Sequence, residues 1–256
     1  MSIYTEYTDY IKTFIDSSDK SEWTFKSNPK FTYMLEHVWK ELGDDCLLEI
    51  LKNFNLFYYQ HKQYLIELCH TNDLYGKTNK SIFTDFTTCS PTNIRYILHS
   101  LILLSYMDEN NLNNVDIIEI GGGYGGLCFF INKLASLFDI TISTYTIFDL
   151  PEPLMLQKKY LEALNCNINL NFAELDNFSG IKENSFLVST YAFSEIPLEI
   201  QKEYTKKILN PYVSHGFIAW NSIDFYNFID NCTISKEIEF PYYNDKNYFI
   251  KFKPVI

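Results

Sequence analysis

Residues 117–130 read IIEIGGGYGGLCFF, with five glycines in the six positions 121–126 between two apolar runs. Glycine has no Cβ and weakens any regular element it interrupts, so this density marks a turn that something approaches closely. An apolar strand entering such a turn, with a helical pattern leaving it, is the first strand-to-helix connection of a parallel α/β sheet. The letters satisfy two fingerprints at once. G-x-G-x-x-G falls on Gly121, Gly123 and Gly126 and suits a dinucleotide; E-x-G-x-G-x-G falls on Glu119, Gly121, Gly123 and Gly125 and suits S-adenosylmethionine.

Downstream of this turn the chain alternates. VDIIEI (115–120) is a short buried strand, GLCFFINKLASLF (126–138) a helix, TISTYTIFDL (141–150) a strand and PEPLMLQKKYLEAL (151–164) a helix. INLNFAEL, SFLVSTYAF, a helix over PLEIQKEYTKKIL, and GFIAWNS continue the pattern to residue 222. Strands alternating with helices of this length make βαβ units. The stretch 232–254, CTISKEIEFPYYNDKNYFIKFKP, has β-type runs around Asn244-Asp245 and predicts a closing antiparallel hairpin. Upstream, the first hundred residues read as helical. FTYMLEHVWKEL has helical spacing, and CLLEILKNFNLFYYQHKQYLIELCH is one long helix or two. Its aromatics Phe54, Phe57, Tyr58, Tyr59 and Tyr64 form a packed face or a lid over a substrate. Residues 71–91 are turn-rich, and SPTNIRYILHS then opens a helix with Ser90 as N-cap and Pro91 in the first turn. The expected fold is α/β: a Rossmann-like, doubly wound, mostly parallel sheet over residues 109–256, with a helical N-terminal cap over residues 1–108 acting as substrate lid.

Charge decides between the two fingerprints. A pyrophosphate sits at a helix N-terminus, drawn by amides and dipole, and a carboxylate ending the preceding strand repels it. S-adenosylmethionine carries no phosphate and brings an ammonium and a sulfonium. Glu119 ends an otherwise apolar strand, where an unpaired carboxylate is costly, so it calls for a cation. The expected cofactor is S-adenosylmethionine. Gly121, Gly122, Gly123, Tyr124 and Gly125 form the loop around its methionine end. Asp149, 26 residues beyond Gly123, ends the second strand as a ribose acceptor, with Leu150 beside it; the same Asp149 also suits a helix cap. Glu174 and Asp176 follow the third strand, where an acidic group holds the adenine amino group.

The fourth strand, FLVSTYAFSEIP (186–197), ends in polar residues: Ser189, Thr190, Tyr191, Ser194 and Glu195. Methyl transfer to oxygen needs an aligned nucleophile and a base for its proton. Glu195 is the first candidate and Tyr191 the second, with Thr190 beside the cofactor; SEIP-LE also reads as a helix start capped by Ser194 with Glu195 in its first turn. His215 stands at the start of a strand, the end remote from such a site. Arg95, near the helix start, is a fixed cation for a cofactor carboxylate or a substrate phosphate, or else for a surface ion pair; Ser90 is placed with it as a contact for the substrate or the cofactor carboxylate.

Composition narrows the classes. Lys plus Arg number 21 against 32 Asp plus Glu, a net charge of −11 that argues against binding a phosphate backbone. No run of 18 apolar residues spans a membrane, and MSIYTEYTDYIKTF lacks the basic start and apolar run of a signal peptide, so a cytoplasmic location is expected. The six cysteines contain no C-x-x-C pair and read as buried thiols. The five histidines have no metal-ligand spacing, Asp224 and Asp230 read as loop acids, and no metal is expected. Partners are a small-molecule sugar or nucleotide-sugar substrate, with no nucleic acid and no membrane; a homo-oligomer is compatible.

EIGGGYGGLC, FDLPEPLMLQKKYL and YAFSEIPLEIQKEY, with YMLEHV and SPTNIRY upstream, resemble the sugar O-methyltransferase family from about Phe31 to Asn221. The resemblance implies a class I enzyme that uses S-adenosylmethionine to methylate a sugar hydroxyl, on a nucleotide-linked or glycan-bound deoxysugar. It implies cofactor contacts at Glu119, Gly121, Gly123 and Asp149, and makes Tyr191–Glu195 a shared feature. Two other readings are weighed. A nicotinamide-dependent oxidoreductase or epimerase on a nucleotide sugar is opposed by Glu119, and by the lack of a suitably placed Tyr-x-x-x-Lys. A non-catalytic S-adenosylmethionine-binding homologue is opposed by the intact loop and Asp149.

Overall fold

The computed structural model describes residues 3–15, 17, 19–32, 38–166, 168–241 and 246–255. The chain falls into two compact units, each discontinuous along the sequence. The helical unit comprises Met1–Tyr106, Gly123–Leu134 and Met155–Cys166; the sheet unit comprises Met107–Gly122, Ala135–Leu154 and Asn167–Ile256.

The N-terminal part of the helical unit contains α1 (Ile3–Ile15), α2 (Pro29–Thr32), α3 (Lys40–Asn53), α4 (Asn55–Asn72) and α5 (Pro91–Glu109), the last ending in the sheet unit. The apolar run after Cys46 is thus two helices, parted at Phe54, whose φ of −131° leaves the helical region. Of the helix expected over FTYMLEHVWKEL, Phe31 and Thr32 end α2 and Lys40 opens α3, with Val38 and Trp39 outside either helix; YMLEH lies outside the described residues. The aromatic face expected on α4 is corrected as well. Only Tyr58 is buried, while Tyr59 is 71% exposed and Phe54, Phe57 and Tyr64 are half-buried. The turn-rich stretch between α4 and α5 carries a small hairpin of β1 (Ser81–Ile82) and β2 (Thr88–Cys89). Ser90 caps α5 as expected, its Oγ accepting the Thr92 N–H at 3.3 Å.

The sheet unit is built on β3 (Asn114–Ile120), β4 (Thr141–Phe148), β5 (Leu170–Ala173), β6 (Ser185–Thr190), β7 (Val213–Trp220), β8 (Cys232–Ile238) and β9 (Tyr248–Pro254). Along the chain, α6 (Gly126–Ala135) follows β3 and α7 (Pro151–Ala163) follows β4. The short α8 (Ala192–Glu195) follows β6, and α9 (Leu198–Tyr204) runs on through a π-helical turn at Thr205–Leu209 into α10 (Asn210–Tyr212). The strand order is β5-β4-β3-β6-β7-β9-β8, with the first five parallel and β9 antiparallel to both of its neighbours. This is the Rossmann-like, mostly parallel sheet that the alternation predicts, closed by the expected hairpin; its turn at Asn244-Asp245 lies outside the described residues. β3, β6 and β7 are buried along most of their length, as befits strands covered on both faces. One apolar cluster gathers Ile118, Leu187, Phe193, Ile208, Trp220, Phe228 and Phe252 from the strands, α8, the π-helical turn and the loop after β7. Among the described residues, no helix is long and apolar enough to cross a membrane. All six cysteines are free thiols; five are buried, and Cys232 is half-buried.

Candidate active site

Strand order reverses between β3 and β6, and in open parallel sheets the crevice at such a switch point, beyond the carboxyl ends, is where ligands bind. Several polar groups converge on that edge within the sheet unit. The ladder continues past the strands: Gly121 N–H donates to Phe148 O at 2.9 Å, and Tyr191 N–H donates to Ala219 O at 2.7 Å. Ser189 ties β6 to β3, its Oγ donating to Ile120 O at 2.8 Å and accepting the Phe193 N–H at 3.0 Å.

Gly121 has a φ of +75°, and a Cβ there would lie 2.1 Å from the Ala192 Cβ. The close approach announced by the glycines is therefore, at this position, made by the chain itself, where β6 turns into α8. In the helical unit, a Cβ on Gly125 would lie 2.9 Å from Leu161 Cγ, and one on Gly126 would lie 2.5 Å from the Tyr96 ring. Tyr124 is fully buried, its ring 5.1 Å from that of Tyr160 and 4.4 Å from the Lys26 ammonium. Gly123 O accepts from Gln157 Nε2 at 3.0 Å. Tyr124 and three of the five glycines are thus explained by packing within the molecule.

Glu119 is 1% exposed. Tyr145 Oη donates to its Oε2 at 3.0 Å, and among the described residues no basic side chain pairs with it. Burial drives its carboxyl up to about 8; the Tyr145 hydrogen bond opposes the rise and the nearby Asp149 charge adds to it. Asp149 is half-buried after β4 and accepts the Leu150 N–H at 2.8 Å; Leu150 itself is 47% exposed. Glu174 is exposed beyond β5 in a bridge to Asn177, and Asp176 is exposed in an ion pair with Lys207 at 2.8 Å.

At the end of β6, Thr190 and Tyr191 are half-buried. Tyr191 holds a φ of 70°, unusual for a bulky residue, and its hydroxyl donates to Glu239. Glu195 is exposed and its Oε1 accepts from Asn221 Nδ2 at 2.6 Å. It is the last residue of α8 and lies outside α9, which corrects the capping alternative. Ser194, buried, donates to Tyr191 O at 2.9 Å and accepts the Asn221 N–H at 3.0 Å, so it braces the turn.

The remaining candidates lie elsewhere. Ser90 is buried in the helical unit, where its N–H donates to Asp73 Oδ2 at 2.8 Å. Arg95, half-buried on α5, stands one turn from His99, whose pKa falls to about 3 through burial and then the Arg95 charge. His215 lies near the amino end of β7, with its pKa lowered by burial and by Lys253. Asp224 pairs with Lys246 at 3.1 Å, and Asp230 accepts from Asn210 at 2.7 Å. Among the described residues no cluster of His, Cys, Asp and Glu could hold a metal ion.

No protein-family model and no curated protein matches the chain. Among solved structures it is similar to a candidate S-adenosyl-L-methionine-dependent methyltransferase from Methanococcus maripaludis, at 13% identity and a TM-score of 0.45 over 62% of this chain and 85% of that one. It is also similar to the PH0226 protein of Pyrococcus horikoshii OT3, at 10% identity and a TM-score of 0.43 over 64% of this chain and 90% of that one. A third is CalS10, an amino pentose methyltransferase of Micromonospora echinaspora solved with S-adenosylmethionine bound; it is 10% identical, with a TM-score of 0.36 over 56% of this chain and 57% of that one. At these values none of them assigns this chain a ligand or a reaction.

Sequence reasoning missed Tyr145, Asn221 and Glu239. Tyr145 reaches Glu119 through the β3–β4 register: Ile147 stands opposite Glu119, and alternation along TISTYTIF puts Tyr145 on the same face.

Proposed function

We propose that this chain is an S-adenosylmethionine-dependent O-methyltransferase acting on a sugar hydroxyl of a nucleotide-linked or glycan-bound sugar. The observation that carries the reading is Glu119. A carboxyl buried at the switch point, with no basic partner among the described residues and its pKa pushed up to about 8, is drawn to ionise by a cation and opposed by a pyrophosphate. The cofactor's ammonium is such a cation. Asp149 is suited to accept from ribose hydroxyls, and the exposed Leu150 side chain offers an apolar surface beside it. Gly121 and Gly122 bring bare backbone to the same edge, and the loop runs on through Gly123, Tyr124 and Gly125. Glu174 and Asp176 are exposed acceptors for the adenine amino group, Asp176 by exchanging its Lys207 pair.

The cofactor supplies a methyl group on sulfonium, open to in-line displacement. The protein's part is alignment, worth up to about 7–11 kcal/mol, and removal of the acceptor's proton, worth about 10²–10⁴ in rate. Thr190 closes β6 beside that edge, and Tyr191 and Glu195 are the groups available to take the proton. The sugar acceptor is supported by the resemblance carried on EIGGGYGGLC and FDLPEPLMLQKKYL.

Calorimetric titration with S-adenosylmethionine, S-adenosylhomocysteine and NAD tests the reading. Binding of the first two and none of NAD is expected, with binding of both weakened in Asp149→Ala. Binding of NAD alone overturns it.

A further inference from the structure

The β8–β9 hairpin carries to the carboxyl edge of the sheet a carboxylate that has no signal in the sequence. In the antiparallel register Tyr248, the first residue of β9, stands opposite Trp220, the last of β7, and opposite Ile238, the last of β8. The turn end of the hairpin is therefore at the edge where β6 and β7 finish. Glu239 sits there, 4% exposed, its N–H donating to Asn247 O at 3.0 Å. Among the groups on its carboxylate, the Tyr191 hydroxyl donates to Oε1, and Asn247 Nδ2 donates to Oε2 at 2.6 Å.

Tyr191 is the first residue after β6, in a backbone conformation with φ 70° and ψ −37°. Such strain in a bulky residue persists only where the surroundings over-determine it, and it gathers at functional sites. Here the surroundings include a ladder hydrogen bond to Ala219, the Ser194 hydroxyl on Tyr191 O and the buried carboxylate of Glu239. Glu195, the other base candidate, is exposed and engaged by Asn221.

Building on the methyltransferase reading, we propose that Glu239 is the positioning residue that makes Tyr191 the proton acceptor for the sugar hydroxyl. With its own proton directed at Glu239 Oε1, Tyr191 Oη meets the sugar hydroxyl as an acceptor. The acceptor's proton passes to Tyr191 Oη while the tyrosine's proton passes to Glu239 Oε1, so one proton enters and one leaves the phenol. The acceptor oxygen forms its bond to the methyl carbon, and the carbon–sulfur bond breaks with its electron pair on sulfur. Protonating Glu239 removes a buried charge, and Asn247 still holds the other oxygen.

The test compares Glu239→Gln, Glu239→Asp and Tyr191→Phe with the wild type. One arm measures transfer of labelled methyl from S-adenosylmethionine to a panel of nucleoside-diphosphate sugars. The other records the Tyr191 ¹³Cζ resonance in tyrosine-labelled protein, assigned by its loss in Tyr191→Phe. In Glu239→Gln, kcat falls about 10²-fold or more, the range of a positioned proton acceptor, with KM and cofactor affinity little changed. Glu239→Asp recovers part of the rate, and the Tyr191 resonance moves upfield in Glu239→Gln as the charged acceptor is lost. An unchanged kcat, or a loss that merely follows cofactor affinity, overturns the proposal. So does a Tyr191 resonance indifferent to Glu239→Gln. If Glu239→Gln does not fold, Tyr191→Phe carries the kinetic comparison. A wild-type chain that binds S-adenosylmethionine but methylates no sugar refutes the acceptor class, and the resonance alone then decides the Tyr191–Glu239 pair.

Discussion

Glu119 has an ordinary carboxyl pKa of 4.5, and its place at the end of β3 pushes it to about 8. A carboxyl whose folded pKa is raised stabilises the fold most below the unfolded value, and that contribution is lost as pH rises through the folded one. The unliganded chain should therefore lose stability between about pH 4.5 and 8. Glu119→Gln should flatten that slope in urea unfolding measured across the range. A cationic ligand favours the ionised form, so binding of S-adenosylmethionine below pH 8 should release a proton, detected by calorimetry in buffers of different ionisation enthalpy. The Gln variant should release none and bind more weakly by about 1.5–3 kcal/mol, the worth of a hydrogen bond to a charged group. Gly121 offers a second residue-scale test. A Cβ there meets the Ala192 Cβ at 2.1 Å with φ at +75°, so Gly121→Ala should cost about 1–3 kcal/mol from overpacking alone. A variant as stable as the wild type in urea would show that the α8 turn yields. Both residues were legible as special in the sequence, since a carboxylate and a glycine at those points break the apolar pattern. The partner of Gly121 was not legible, because Ala192 is 71 residues away in the chain.

At the scale of elements, α6 and α7 start where the sequence places them, at Gly126 and Pro151, because glycine and proline punctuate strongly. Boundaries without such marks were harder to read. Phe54 divides α3 from α4 with neither glycine nor proline, and Glu195 closes α8 although its neighbours spell a helix start. Lys26 carries no mark in the sequence, where a lysine reads as surface. It is 1% exposed, its Nζ donating to Asn72 O at 2.5 Å and to Tyr160 Oη at 2.7 Å, with the Tyr124 and Tyr160 rings 4.4 and 4.7 Å away. One ammonium thus fastens the 3₁₀ turn Phe25–Ser27 to the end of α4, to α7 and to the ring of the glycine loop's own tyrosine. Lys26→Met should destabilise the chain by about 1–3 kcal/mol through the broken buried hydrogen bonds. Lys30→Met, at an exposed neighbouring position, should stay within about 0.5 kcal/mol. Equal unfolding midpoints in urea would deny Lys26 this role.

For the molecule as a whole, composition, periodicity and punctuation determined the class of fold. Apolar runs of strand length alternating with helical spacing leave few ways to bury both, and the parallel sheet is one of them. The same local signals placed Glu119, the glycine turn and Asp149 at strand ends, because a strand end is a local event. Only the tertiary structure decided the strand order, with β9 inserted between β7 and β8, and with it the edge on which the hairpin delivers Glu239 to Tyr191. Pairing between residues 48 apart is set by which strands lie side by side, and hydrogen-bond register carries no trace in either segment read alone. The burial that pushes the Glu119 carboxyl up to about 8 is likewise a property of the strands around it, not of the letters beside it.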